Sequence, residues 1–155
     1  MNTVKFIGMD VHKKTITIAI IEQGRKKQPR FYGSIANQAE VLDKFCRKML
    51  STAARLHFVY EAGPCGYQIY RHLTAKGFEC SVVAPSMVPK QSGNRIKNDR
   101  RDSMMLARLH RAGELTAVYV PVAEDEAMRD LSRAREDAKG DEKKSKQRLL
   151  AFLLR

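Results

Sequence analysis

Four carboxylates stand out by where they fall. Asp10 ends the apolar run Phe6-Ile7-Gly8-Met9, Glu61 ends Leu56-His57-Phe58-Val59-Tyr60, and Asp99 and Asp102 open the segment Asp99–Ala112. A carboxylate buried without a partner is costly in a low dielectric, so Asp10 needs either a cationic neighbour or a bound cation. Asp99 and Asp102 are three residues apart and share one face of a helix. If the strands ending in Asp10 and Glu61 are neighbours beside the start of that helix, four hard oxygen donors converge, as Mg2+ or Mn2+ requires. Two such ions about 3.5–4 Å apart position the attacking oxygen and stabilise the leaving one in phosphodiester cleavage.

Each carboxylate also has a plainer reading. Asp10 can pair with Lys13, Lys14 or Arg101, and Glu61 can face solvent or sit at the start of the next helix. Asp99 as N-cap with Asp102 at the third helical position resembles a capping arrangement, and both charges suit the helix dipole. The surroundings favour the metal reading. Between Lys90 and Arg111 stand Lys90, Arg95, Lys97, Arg100, Arg101, Arg108 and Arg111, which against Asp99 and Asp102 leaves a net of +5. Interleaved cations make sense where phosphates must approach bound metal. His12 is placed to touch phosphate, although a surface histidine is the plainer assignment. Tyr60 and Tyr67 flank Glu61 and offer faces on which a base could stack, but alternation also suits Tyr60 to the core.

The elements that must position these groups follow in order. Val4–Asp10, Lys14–Glu22 and Arg30–Ile35 read as three strands with short links, an antiparallel meander. Asn37 is a good N-cap for a helix to about Ser51, with Val41, Leu42, Phe45, Met49 and Leu50 on one face. Leu56–Glu61 is a fourth strand, Pro64 suits the first position of a helix running to Lys76, and Gly77 suits its end. Phe78–Ala84 is a fifth strand, and Ser86–Asn98 a polar loop. Asp99–Ala112 is a helix stopped by Gly113, with Met105, Leu106, Leu109 and Ala112 facing inward. Thr116–Val120 is a short extended piece. Ala123–Arg155 is a long charged helix that ends in the apolar Leu149-Leu150-Ala151-Phe152-Leu153-Leu154, which predicts a partner for it. The expected fold is α/β, a mixed sheet with flanking helices in the order β-β-β-α-β-α-β-α, then the long helix. Residues 1–122 read as one globular domain and 123–155 as an appended helix.

The 155 residues carry a formal charge of +12. Residues 123–155 hold nine Lys/Arg and eight Asp/Glu, so the preceding 122 residues hold +11 of it. A cationic globular part suits a polyanion such as nucleic acid. No stretch of about 18 apolar residues predicts a membrane span, and the opening residues read as a strand rather than a signal peptide, so cytoplasmic residence is the expectation. Cys46, Cys65 and Cys80 lack CxxC spacing, and His12, His57, His72 and His110 are scattered, which argues against disulfide and zinc frameworks. An ATPase loop after the first strand would need glycines that Val11-His12-Lys13-Lys14 lacks. Cys65 at a probable helix start has no histidine assigned beside it and reads as a spectator.

The stretches GMDVHKKT, YEAGPCGY and KNDRRDSMMLARL together resemble the three motifs of the DEDD transposases of insertion sequences, a family that includes the Piv-type invertases and the bridge-RNA-guided recombinases. The resemblance implies a prokaryotic protein with a RuvC-like, RNase H-like domain. In that family an acidic tetrad, here Asp10, Glu61, Asp99 and Asp102, binds divalent metal for DNA strand cleavage and exchange. It implies DNA as partner, a bridge RNA in some members, and a coiled-coil segment for subunit contacts. Lys13, Lys14, Lys90, Arg95, Lys97, Arg100, Arg101 and Arg108 are the candidate nucleic-acid contacts. Family members continue into a domain with a nucleophilic serine. Ser86, Ser92 and Ser103 do not match it, so the sequence is expected to be a fragment that does not complete strand exchange alone. Two other functions compete: a non-catalytic nucleic-acid-binding module on the same scaffold, and a resolvase-type nuclease that cuts by hydrolysis.

Overall fold

The computed structural model describes residues 3–24, 26–53, 55–89 and 98–154. Lys90, Arg95 and Lys97, with most of the expected Ser86–Asn98 loop, lie outside them. The chain divides into two compact units, Met1–Tyr119 and Val120–Arg155.

In the first unit the strands are β1 (Val4–Val11), β2 (Thr15–Glu22), β3 (Arg30–Ala36), β4 (Arg55–Glu61) and β5 (Glu79–Val83), and the helices are α1 (Ala39–Leu50), α2 (Gln68–Ala75) and α3 (Asp99–Ala112). They form one mixed sheet of order β3-β2-β1-β4-β5. β1, β2 and β3 pair antiparallel, while β1–β4 and β4–β5 are parallel. The meander and the order β-β-β-α-β-α-β-α are as the sequence predicts, and the architecture is that of an RNase H-like fold.

Strand alternation sends the apolar residues of β1 and β2 to both faces. One face carries Ile7, Met9, Ile16, Ile18, Ile20 and Phe58, all buried, on the side where Tyr32 meets Phe45 of α1 edge to face. The other carries Phe6, Ala19 and Ile21 packed with Met104 and Ala107 of α3, and Val59 and Val83 packed with Leu106 and Leu109. Val88 and Leu115 pack beside α3 on this face.

What fixes α3 is a glycine. A Cβ added at Gly8 would collide with the Ser103 carbonyl oxygen and lie 2.5 Å from the Ala107 backbone nitrogen. The helix backbone thus rests directly on β1, with Ser103 and Ala107 fully buried at the crossing. Further along, His110 meets Phe6 at 5.5 Å between ring centroids. The helix runs antiparallel to β1, so its first turn lies at the Asp10 end.

Three boundaries differ from expectation. Gln38, not Asn37, precedes α1. Asn37 instead braces the β1–β2 turn, its Nδ2 donating to the His12 carbonyl and its backbone N–H to Lys14, each at 2.9 Å. α2 begins at Gln68 rather than Pro64, because Gly66 adopts a left-handed φ of 64° that no helix interior accommodates. Thr116–Val120 forms no full strand; Ala117 makes a single antiparallel bridge to Val83.

The second unit holds α4 (Ala123–Leu153). Glu124, Asp125 and Glu126 fill its first turn, complementing the helix dipole. None of its residues is buried, and Leu149, Leu150, Phe152, Leu153 and Leu154 are exposed. No described helix is long and apolar enough to cross a membrane.

Candidate metal centre

The carboxyl ends of β1 and β4 lie side by side, the place where open α/β sheets bind ligands. Met9 is registered against Tyr60, so Asp10 and Glu61 follow at the same level on neighbouring parallel strands. Their side chains share the α3 face by alternation. Asp99 and Asp102 open α3 above that end.

The helix start removes one competing account. Asn98 is the N-cap, its side-chain oxygen accepting from the Arg100 backbone N–H at 3.0 Å. Asp99 is therefore the first helical residue, not the cap. Its carboxylate points to the strands, 3.3 Å from His12 Nε2. The same nitrogen lies 3.3 Å from Asp10 Oδ2.

Asp10, His12 and Asp99 each bring one donor atom to within 4.8 Å of the other two. Asp10 and His12 are two residues apart at the end of an extended segment, which puts both on one side. The backbone of His12 is pinned as well. Its N–H donates to the Thr15 carbonyl at 2.8 Å, and its carbonyl accepts from Asn37.

Burial pushes the Asp10 carboxyl above its ordinary range; His12 opposes the shift, while Asp99 and Asp102 reinforce it. Asp10 Oδ2 and His12 Nε2 are buried atoms without a hydrogen-bond partner among the described residues. The two atoms lie 3.3 Å apart. A fold that crowds carboxylates together and leaves a carboxylate oxygen buried and unbonded suits a cation. Carboxylate oxygens fit Mg2+ or Mn2+, and His12 is the one donor of softer type. Glu61 stands outside the 4.8 Å cluster, and Asp102 reaches Asp10 through its field.

The candidate cations divide by position. Lys13 and Lys14 are exposed in the β1–β2 turn, and Arg100 and Arg101 are exposed in the first turn of α3. Arg108 is exposed too, but roughly 12 Å further along the helix from Arg100. Ser103 is buried, with its hydroxyl donating to the Arg100 carbonyl at 3.0 Å, so it is sealed from any substrate. Tyr60 belongs to the core, 1 % exposed. Cys65 Sγ lies 4.0 Å from the Val11 carbonyl oxygen, beside the same strand end. The sequence undervalued His12: the Asp-x-His spacing at a strand end was the available signal.

Comparison with known proteins bears on the family of the chain. The family model of the DEDD transposases of IS110 type matches residues 7–155. The putative transposase y4qE of Sinorhizobium fredii (strain NBRC 101917 / NGR234) is 43% identical over 150 residues, 97% of this chain and 38% of the relative. The transposase for insertion sequence element IS1533 of Leptospira borgpetersenii is 39% identical over 151 residues, 97% of this chain and 43% of the relative. The chain thus spans about two-fifths of the length of these curated relatives. By a match covering nearly all of its length, the chain belongs to the DEDD transposase family of insertion sequences.

Proposed function

We propose that residues 1–122 are the metal-dependent catalytic domain of a DNA transposase, with Asp10, Glu61, Asp99 and Asp102 as the acidic tetrad. The observation that carries this reading is the junction of Asp10 and Asp99 around His12, with Asp10 Oδ2 buried and unbonded. Asp10 and Asp99 would hold a first Mg2+ or Mn2+, and Glu61 and Asp102 stand where they could complete its shell or hold a second. When bound, such an ion polarises phosphate and lowers the pKa of bound water.

The chain's own residues do the rest. Lys13, Lys14, Arg100 and Arg101 surround the carboxylates with positive charge and draw a phosphate backbone toward them. Lys90, Arg95 and Lys97 add to that charge in sequence. His12, fixed through its backbone, holds the two carboxylates at a common distance before an ion arrives. In this reading strand exchange also needs the nucleophilic serine that the family resemblance places in a separate domain. The protein works as an oligomer through α4, and the same cationic surface would accommodate a guide RNA.

The test is thermal unfolding of the chain with and without Mg2+ or Mn2+. A ligand bound only by the native state raises stability as RT ln(1 + [L]/Kd), so the midpoint should rise with ion concentration. Asp10→Asn and Asp99→Asn should each remove the rise. Identical melts with and without ion would overturn the metal reading and leave a nucleic-acid-binding module.

A further inference from the structure

The polar groups on the α3 face do not stop at Asp10. Thr17 is registered against Asp10 on β2, and Ser34 against Thr17 on β3. Asp10, Thr17 and Ser34 therefore form a polar row across three strands, on the face that α3 covers. Thr17 Oγ1 and Ser34 Oγ are 2.9 Å apart. Thr17 is 4 % exposed, whereas Ser34 is exposed at the sheet edge. Either hydroxyl can donate in this pair; when Thr17 donates, the Ser34 proton is free to point to solvent.

A cation stands over the same strand. The Arg100 guanidinium lies 5.0 Å from the ring centroid of Phe31. Phe31 is registered against Ala19, two steps along β2 from Thr17, which places it roughly 7 Å from Ser34 along the strand. Arg100 follows Asp99 directly but faces β3, while Asp99 faces β1. One turn of helix thus aims a carboxylate at the metal centre and a guanidinium at its flank. Stacking on an aromatic ring holds the guanidinium plane while leaving its N–H fork free for a bidentate anion.

We infer that Arg100, seated on Phe31, and Ser34, oriented by Thr17, form a phosphate subsite on the β3 side of the carboxylates. It would take a phosphodiester of the nucleic-acid strand flanking the one at Asp10 and Asp99. This rests on the nucleic-acid reading above and deepens it. The subsite gives the strand a direction, across β2 and β3 rather than across β4 and β5. Phe31 and Thr17 touch no substrate and are positioning residues.

The experiment is equilibrium binding of a single-stranded oligodeoxynucleotide by the chain across a salt series, without divalent ion. Arg100→Ala and Phe31→Leu should each weaken binding by about fivefold to tenfold. Phe31→Leu keeps the charge unchanged, so only loss of positioning explains its effect. Phe31→Tyr, which keeps the ring, should restore binding. Ser34→Ala should weaken binding about threefold. Arg47→Ala, an equal loss of charge on exposed α1, should change it by less than about twofold. Equal effects of Arg100→Ala and Arg47→Ala, or wild-type binding by both Phe31→Leu and Ser34→Ala, would overturn the subsite alone. No binding by the unaltered chain at low salt would overturn it together with the nucleic-acid reading.

Discussion

Asp10 is held by the fold at a cost. Its carboxyl is pushed up by burial and by two neighbouring aspartates, so ionisation opposes folding. The sign follows from linkage: a carboxyl raised in the native state makes the fold less stable as pH rises through its native pKa, and the loss is complete above it. Without divalent ions, Asp10→Asn should therefore melt higher than the unaltered chain at neutral pH, although it abolishes ion-dependent stabilisation. A lower midpoint for that variant would show that Asp10 serves as a structural ion-pair partner. His110 is the opposite kind of group. Burial first, and then His57, hold its imidazole down to about 4, from 6.5. It is neutral in the native state, so stability is intact above about pH 6.5 and declines toward pH 4 as the unfolded chain gains the proton. The decline attributable to His110 is on the order of 3 kcal/mol at most, and His110→Phe should flatten the acid limb of a pH–stability curve. Sequence made Asp10 conspicuous because a lone carboxylate follows an apolar run. It made His12 inconspicuous, because its value comes from a contact across 87 positions with Asp99 that spacing does not show.

At the scale of elements, one strand–helix contact decides whether the centre exists. α3 lies on β1 at Gly8, and its first turn carries Asp99, Arg100 and Asp102 to the strand end. Gly8→Ala should cost about 1–3 kcal/mol in denaturant unfolding, as overpacking of a close contact does. It should also reduce the ion-dependent stabilisation, because the displaced helix takes Asp99 away from Asp10. Retention of full ion affinity in a destabilised Gly8→Ala protein would show that the centre forms without this contact. The strands and most helix bounds were legible, since β-branched alternation and the Gly113 stop are local signals. The α2 start was not legible, because Pro64 suits a first helical position and only the φ of Gly66 delays the helix. The bounds of α3 were legible, but its cap was not. Asn98, Asp99 and Asp102 are all acceptable caps, and only the hydrogen bond to Arg100 distinguishes them.

Over the whole molecule, charge is the property that sequence conveys best and structure refines. Residues 1–122 carry nearly all of the net +12, and Lys13, Lys14, Arg100 and Arg101 gather at the carboxylate end while Arg108 does not. If those four neutralise phosphates, log K for a single strand should fall with log salt at a slope of about −3. A slope near zero would show that the basic surface serves solubility. The meander of β1, β2 and β3 was legible from its short links, whereas the neighbouring of β1 and β4 stood only as a condition, and the crossing of α3 over β1 was not legible, since nothing local marks Gly8 as a contact. That crossing has a genetic consequence. The atoms a Gly8 side chain would strike belong to the backbone of residues 103 and 107. Shortening Ser103 or Ala107 cannot make room, so a loss-of-function allele at Gly8 should yield no second-site revertants at either position. If the proposed tetrad carries catalysis, a screen for inactive transposase should recover Gly8 alongside it, although Gly8 has no side chain to offer an ion or DNA.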